Sequence, residues 1–154
     1  MRKLSKLEAI LWSIAFPGFP QLLVGAYIKG IFFMLLEFCI NVQSQFNEAI
    51  RFSFLGEMDN AVKVINYEWL MFYPCIYMYV MWDSYCISEG DVGKYDFLPF
   101  VFGAYFLTVG TMYGSKANFL GIYPGPVFFP MIILPLGLFV GFILKKVFVN
   151  FQER

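Results

Sequence analysis

Histidine is absent from this sequence, which removes the commonest metal ligand and the side chain most used as a general base near neutral pH. Charge is scarce as well: only 14% of the 154 residues are Asp, Glu, Lys or Arg, against roughly 25% in an average soluble domain. The 11 basic and 11 acidic side chains cancel, so nothing electrostatic points to nucleic acid. Cysteine is limited to Cys39, Cys75 and Cys86. None belongs to a C-x-x-C pair and all lie in or beside apolar runs, so they read as small buried thiols, not as a redox or metal site. Phosphate-binding loops, dinucleotide fingerprints, nucleophile–base sets and metal-ligand spacings are missing too. Asp83, Ser84 and Cys86 are too few and too ordinary to make an active site. No catalytic residue, metal or cofactor is therefore expected.

What the sequence does have is apolar surface. Hydrophobic residues make up 60% and aromatics 21%, with a mean hydropathy of +0.66. A chain this short could not bury so much in water, so the expected partner is the lipid bilayer. Four runs, at about residues 30–47, 64–82, 97–115 and 126–144, hold at most one charge each and approach the ~20 residues a helix needs to cross a membrane. Stretches such as "MIILPLGLFVGFIL" are apolar on every face, which excludes the alternation of a β-barrel strand. The expected fold is thus an all-α membrane protein forming one integral domain over residues 1–154. Polar connectors separate the runs. The one over residues 44–64 suggests that the second-span helix continues past the membrane surface and stops near Gly56, with Met58-Asp59-Asn60 as a turn signal.

The segment "FPGFPQLLVGAYIKG", residues 16–30, decides the topology. Arg2, Lys3 and Lys6 ahead of an apolar run look like the start of a signal peptide, but Pro17 and Pro20 interrupt that run and no small-residue cleavage site follows, so the segment is expected to be retained. Residues 7–16 are too short to span, rising about 15 Å. An interior proline costs a helix about 3 kcal/mol, so two prolines around Gly18 argue against an unbroken rod. The expectation is a re-entrant broken-helix hairpin over residues 7–28, turning at Pro17, Gly18 and Pro20, with Gln21 serving the freed backbone groups. Charge supports it. With a returning hairpin, Arg2, Lys3, Lys6, Lys29, Lys94, Lys145, Lys146 and Arg154 fall on one side and Arg51, Lys63 and Lys116 on the other. A crossing segment would divide the same charges almost evenly. The positive-inside rule then places both termini in the cytoplasm.

Pro17-Gly18-Phe19-Pro20-Gln21, followed by Gly25 and Lys29-Gly30, resembles the Pro-Gly-x-Gly-Gln-x-x-x-Gly-x-x-x-Lys-Gly hairpin of small bacterial membrane proteins related to the two-transmembrane-domain family. Pro20 departs from the usual glycine. Trp82-Asp83-Ser84-Tyr85 is similar to the W-D-A-Y-type end of a later span in such proteins. The resemblance implies a membrane-embedded hairpin module in a bacterial cytoplasmic membrane and carries no activity.

Glu37 is the sharpest polar feature, near the middle of the second span, where an acid costs at least ~2.5 kcal/mol to insert. Asn41, Ser44, Gln45 and Glu48 follow at helical spacings and are expected on the same face. Either this stripe forms a proton-accessible path, or Glu37 is bonded to a neighbouring helix and the stripe faces the bundle interior. Lys29 is too far along the helix to pair with it. Glu68 and Asp83 bracket the third span beside Trp69 and Trp82. Tyr73, Tyr77 and Tyr79 either line a pocket or pack, and Pro74 is expected to kink the span or break one backbone bond. Gly110/Gly114 and Gly137/Gly141 permit close helix approach, within the chain or in a dimer. Pro130 and Pro135 should bend the last span. The echo of "PGFP" in "PGP" hints at an inverted repeat.

These readings lead to a non-enzymatic accessory or scaffold subunit that associates with its own kind or with another membrane protein. The alternative is a small oligomeric transporter or channel using Glu37 and the stripe; a membrane-embedded enzyme is more distant.

Overall fold

The computed structural model describes residues 3–118 and 121–152. Arg2 and Arg154, counted above among the charges of one side, lie outside them. The described residues are helical, with no β-strand. The helices are α1 (Lys6–Ala15), α2 (Phe19–Leu23), α3 (Tyr27–Ser44), α4 (Phe46–Phe54), α5 (Met58–Val64), α6 (Tyr67–Leu70), α7 (Tyr73–Ile87), α8 (Leu98–Tyr113) and α9 (Gly125–Gln152). By length and composition, α9 is the one described helix long and apolar enough to cross a membrane.

The PGFP segment breaks the chain as its chemistry demands. Pro17 cannot donate to the α1 ladder, and α1 ends on Phe16, whose N–H bonds Trp12 O. Gly18 takes φ +91° and Pro20 falls in the first turn of α2, where no N–H is needed. A Cβ on Gly18 would lie 2.6 Å from Gly30 O, so the turn packs directly on the start of α3. The return arm is shorter than expected, because Tyr27 and Ile28 already belong to α3.

Contacts along α7 show where the hairpin goes. Lys6 Nζ donates to Tyr85 Oη at 3.1 Å, and Ile14 O accepts from Tyr77 Oη at 3.0 Å. Gln21 and Lys29 are then back at Asp83. The chain therefore advances along α7 and returns toward its starting level before α3 sets off. Next, α3 runs antiparallel to α7, from Lys29 beside Asp83 to Glu37 beside Tyr73.

Five further differences from the sequence reading follow the chain. The second helix is interrupted at Gln45, which adopts φ +58°, so α4 begins as a separate helix; it ends at Phe54, and Gly56 follows two residues later with φ +79°. Met58-Asp59-Asn60 opens α5 instead of forming a turn. The third run starts as the short α6, breaks at Met71–Phe72 and continues as α7 to Ile87. Pro74 sits in the first turn of α7, so it starts the helix and does not kink it. Finally, α9 runs eight residues beyond 144 and contains Pro130 and Pro135 in its interior.

The tightest packing joins α8 and α9, antiparallel. A Cβ on Gly110 would meet Pro130 Cα at 2.7 Å, and one on Gly114 would meet Pro126 Cα at 2.9 Å. From the other side, a Cβ on Gly137 would lie 2.6 Å from Phe102 O, and one on Gly141 would lie 2.5 Å from Pro99 Cα. All four glycines therefore lie between these two helices of the same chain. At one end of the bundle α4 and α5 form a cap, with Ala49, Ala61, Ile65, Leu70 and Val127 as its core. The three cysteines are free and exposed on the surface of the fold, not buried, because they lie on outward faces of α3 and α7.

Candidate functional site

Two polar assemblies lie at the end of the bundle opposite the α4–α5 cap, and both are organised by α7. The first locks the hairpin. Gln21, fully buried, donates through Nε2 to Asp83 Oδ2 and to Ser84 Oγ, each at 3.0 Å. Ser13 Oγ lies 2.7 Å from Ser84 Oγ, and Ser84 donates to Val80 O. Lys29 Nζ closes the group at 2.8 Å from Asp83 Oδ1. Side chains from α1, α2, α3 and α7 thus share one carboxylate and two hydroxyls. Gln21 bonds α7 side chains, not the freed backbone of the turn as the sequence suggested; its Oε1 is buried without a partner. Asp83 and Ser84, set aside in the sequence as too ordinary, are the acceptors at its centre.

The second assembly joins α1, α7 and α9 to the loop before α8. Asp96 is buried. Its Oδ2 accepts from Tyr85 Oη at 2.8 Å and from Gly93 N at 3.0 Å, and its Oδ1 pairs with Lys145 Nζ at 2.7 Å. Burial alone would push the Asp96 carboxyl up, but the bonds from Lys145, Tyr85 and Gly93 outweigh it and hold the group below the ordinary carboxylate value. Lys6 completes the chain on the other side of Tyr85. Its ammonium lies 4.4 Å from the ring centroid and donates to Tyr85 Oη and to the Asp91 carbonyl. Two ammonium groups therefore flank a single buried carboxylate. Nothing in the sequence spacing connects residues 6, 85, 96 and 145.

A cavity of about 740 Å³ opens between these helices. Its floor is one face of α7, presenting Tyr73, Tyr77, Met81 and Tyr85 at four-residue spacing. One wall is α9, through Val127, Met131, Leu134, Leu138, Phe142 and Lys145. The facing wall carries Ile10 and Ile14 of α1 and Glu37 of α3. Under the cap, α4 supplies Phe46, Asn47, Ile50 and Phe54. The second assembly, through Tyr85, Asp96 and Lys145, forms the opposite end.

The stripe expected on the second span is divided. Glu37 and Asn41 line this cavity, and Tyr73 Oη donates to Glu37 Oε1 at 3.4 Å. Ser44 is fully buried and its carbonyl accepts from Asn66 N, so it joins α3 to the start of α6. The turn at Gln45 moves the rest of the stripe off the Glu37 face: Gln45 is exposed, and Glu48 pairs with Arg51 on α4. Glu68 is exposed on α6, where Asn66 Oδ1 caps its N–H; it does not join Glu37. Among the described residues no cluster of acidic or cysteine side chains is arranged to hold a metal ion. Compared with known proteins, the chain matches no family model, no curated protein and no solved structure.

Proposed function

We propose that this chain is a multispan protein of a bacterial cytoplasmic membrane and acts as an accessory or scaffold subunit, by association within the bilayer. In this reading α3, the α6–α7 pair, α8 and α9 are four crossings, and α1–α2 is a re-entrant hairpin of the kind found in proteins related to the two-transmembrane-domain family. The observation that carries it is the sorting of charge. Lys6, Lys29, Asp83, Asp96 and Lys145 meet at one end of the bundle, and Glu48 and Arg51 lie on the cap at the other. Between them the outward surface is apolar, with Leu35, Phe38, Tyr105, Leu136 and Phe139 all more than half exposed. An apolar belt of this size is stable only when something apolar covers it. The end holding Lys3, Lys6, Lys29, Lys94, Lys145 and Lys146 is cytoplasmic by the positive-inside rule.

Extraction from native membranes in mild detergent, with crosslinking beforehand, tests the association. Recovery as a complex, with further copies or with another membrane protein, is expected; an isolated monomer under crosslinking contradicts it. The transporter reading has one observation in its favour, the exposure of Glu37 to the cavity. It predicts that Glu37→Gln abolishes ion or solute flux, or its pH dependence, in reconstituted vesicles. The scaffold reading predicts no flux in either protein.

A further inference from the structure

The cavity is polarised along its length. On α9 the wall from Lys145 up to Leu134 rises about 16 Å, close to half of the ~30 Å hydrocarbon core, the depth of a single leaflet. At these levels the lining is apolar, through Ile10, Ile14, Met81, Leu134, Leu138 and Phe142, apart from the Tyr77 hydroxyl, which donates to Ile14 O. The polar lining side chains Glu37, Asn41, Asn47 and Thr111 belong to the half nearer the cap. The lower half ends on Tyr85, Asp96 and Lys145, with Lys6 bonded to Tyr85, so that two cations accompany one anion there. That carboxylate is already saturated by three donors, whereas Lys145 keeps a third of its side chain accessible.

We propose that this half of the cavity holds one acyl chain of an anionic phospholipid from the adjoining leaflet, with the phosphate against Lys145 and Lys6. The assignment rests on the membrane reading above. Depth and lining favour a lipid chain: the apolar stretch between Leu134 and Lys145 is one leaflet deep and ends on an accessible ammonium, as an acyl chain beneath a phosphate requires. Charge decides the head group: two ammonium groups beside one carboxylate at this end favour a net anion over a zwitterion. A phosphate there would also bridge α1 to α9, the two walls, through their lysines.

Native mass spectrometry of the full chain, exchanged into nanodiscs of phosphatidylglycerol mixed with phosphatidylcholine, tests this. One retained phosphatidylglycerol is expected. Lys6→Gln, which leaves the Asp96–Lys145 pair intact, should cut its preference over phosphatidylcholine by about fivefold. Leu138→Trp, which fills the groove, should remove the bound lipid while circular dichroism shows the helices retained. Absence of bound lipid in the wild type, equal retention of both lipids, or retention unaffected by Leu138→Trp would overturn the assignment, as would a protein found in place of the lipid. Alkaline extraction separates this from the membrane reading: a chain that stays in the membrane fraction yet carries no lipid refutes the groove assignment alone, and a chain that leaves the membrane refutes both.

Discussion

At the scale of single residues, the account rests on a few buried polar groups with specific partners. Gln21 is the clearest. Its fully buried amide joins two α7 side chains, so its loss removes two bonds and one donor to Asp83 Oδ2. Gln21→Leu should destabilise the protein by about 1–3 kcal/mol, read as a fall in thermal midpoint in detergent. Lys29 touches the same carboxylate, but 56% of its side chain is exposed, so Lys29→Met should cost less than about 1 kcal/mol. Equal effects would mean that the exposed ion pair, not the buried amide, holds the hairpin. Asp96 gives a pH signature. Its carboxyl is held below the ordinary value of 3.8, so its stabilising contribution is complete above that value and is lost as pH falls through the lowered native value. Asp96→Asn should therefore cost about 3 kcal/mol at neutral pH, and the gap to the wild type should narrow in acid titrations. A gap independent of pH would contradict the assignment. The sequence singled out Gln21 by its place after PGFP, and placed Asp83 at a span end. It could not join them, because the contact closes over 62 residues and no local spacing encodes it.

At the scale of elements, proline and glycine chemistry explains most of what was legible. Pro20, Pro74 and Pro99 all lie in the first turn of a helix, where a missing N–H is harmless. The break at residues 16–18 could be read from the chain alone, since two prolines around a glycine leave a helix little choice. The turn at Gln45 could not: glutamine has no preference for positive φ, and the long-range bond beside it, from Asn66 N to Ser44 O, is not encoded in local spacing. Helix phase carried past residue 44 therefore failed, and with it the continuous polar stripe. Pro74 misled for a related reason, because a proline marks a kink or a start with equal local plausibility until a neighbouring break is known. The four glycines between α8 and α9 make a direct test. Gly137→Val would press two methyl groups against the Phe102 carbonyl and should destabilise the protein by about 1–3 kcal/mol, with the largest effect on protection of α8 and α9 from hydrogen exchange. Gly18→Ala faces both a left-handed backbone and the Gly30 carbonyl. A loss of at least about 1 kcal/mol is expected, confined to exchange in α1 and α2.

At the scale of the whole molecule, the helical class and the surplus of apolar surface followed from composition, whereas the arrangement of the helices did not. The cavity is an example. Its floor, walls and charged end come from seven helices and the segments holding Pro17 and Asp96, and each is unremarkable alone. The hairpin's path is another: composition indicates a break, but only the contacts of residues 6, 14, 21 and 29 along α7 show the chain coming back. Because residues 3–6 and α9 beyond Lys145 lie at one end of the bundle, and α4, α5 and the start of α9 lie at the other, sidedness is a property of the entire fold.

The most direct test is the sidedness of the hairpin. In a chain with Cys39, Cys75 and Cys86 replaced by serine, single cysteines at Lys3, Lys29, Glu57 and Lys146 are reacted with an impermeant maleimide in intact cells and in inverted vesicles. The account predicts that positions 3, 29 and 146 react only in inverted vesicles, and position 57 only in intact cells. Labelling of positions 3 and 29 from opposite faces would mean that the PGFP segment crosses the membrane, and would contradict the account.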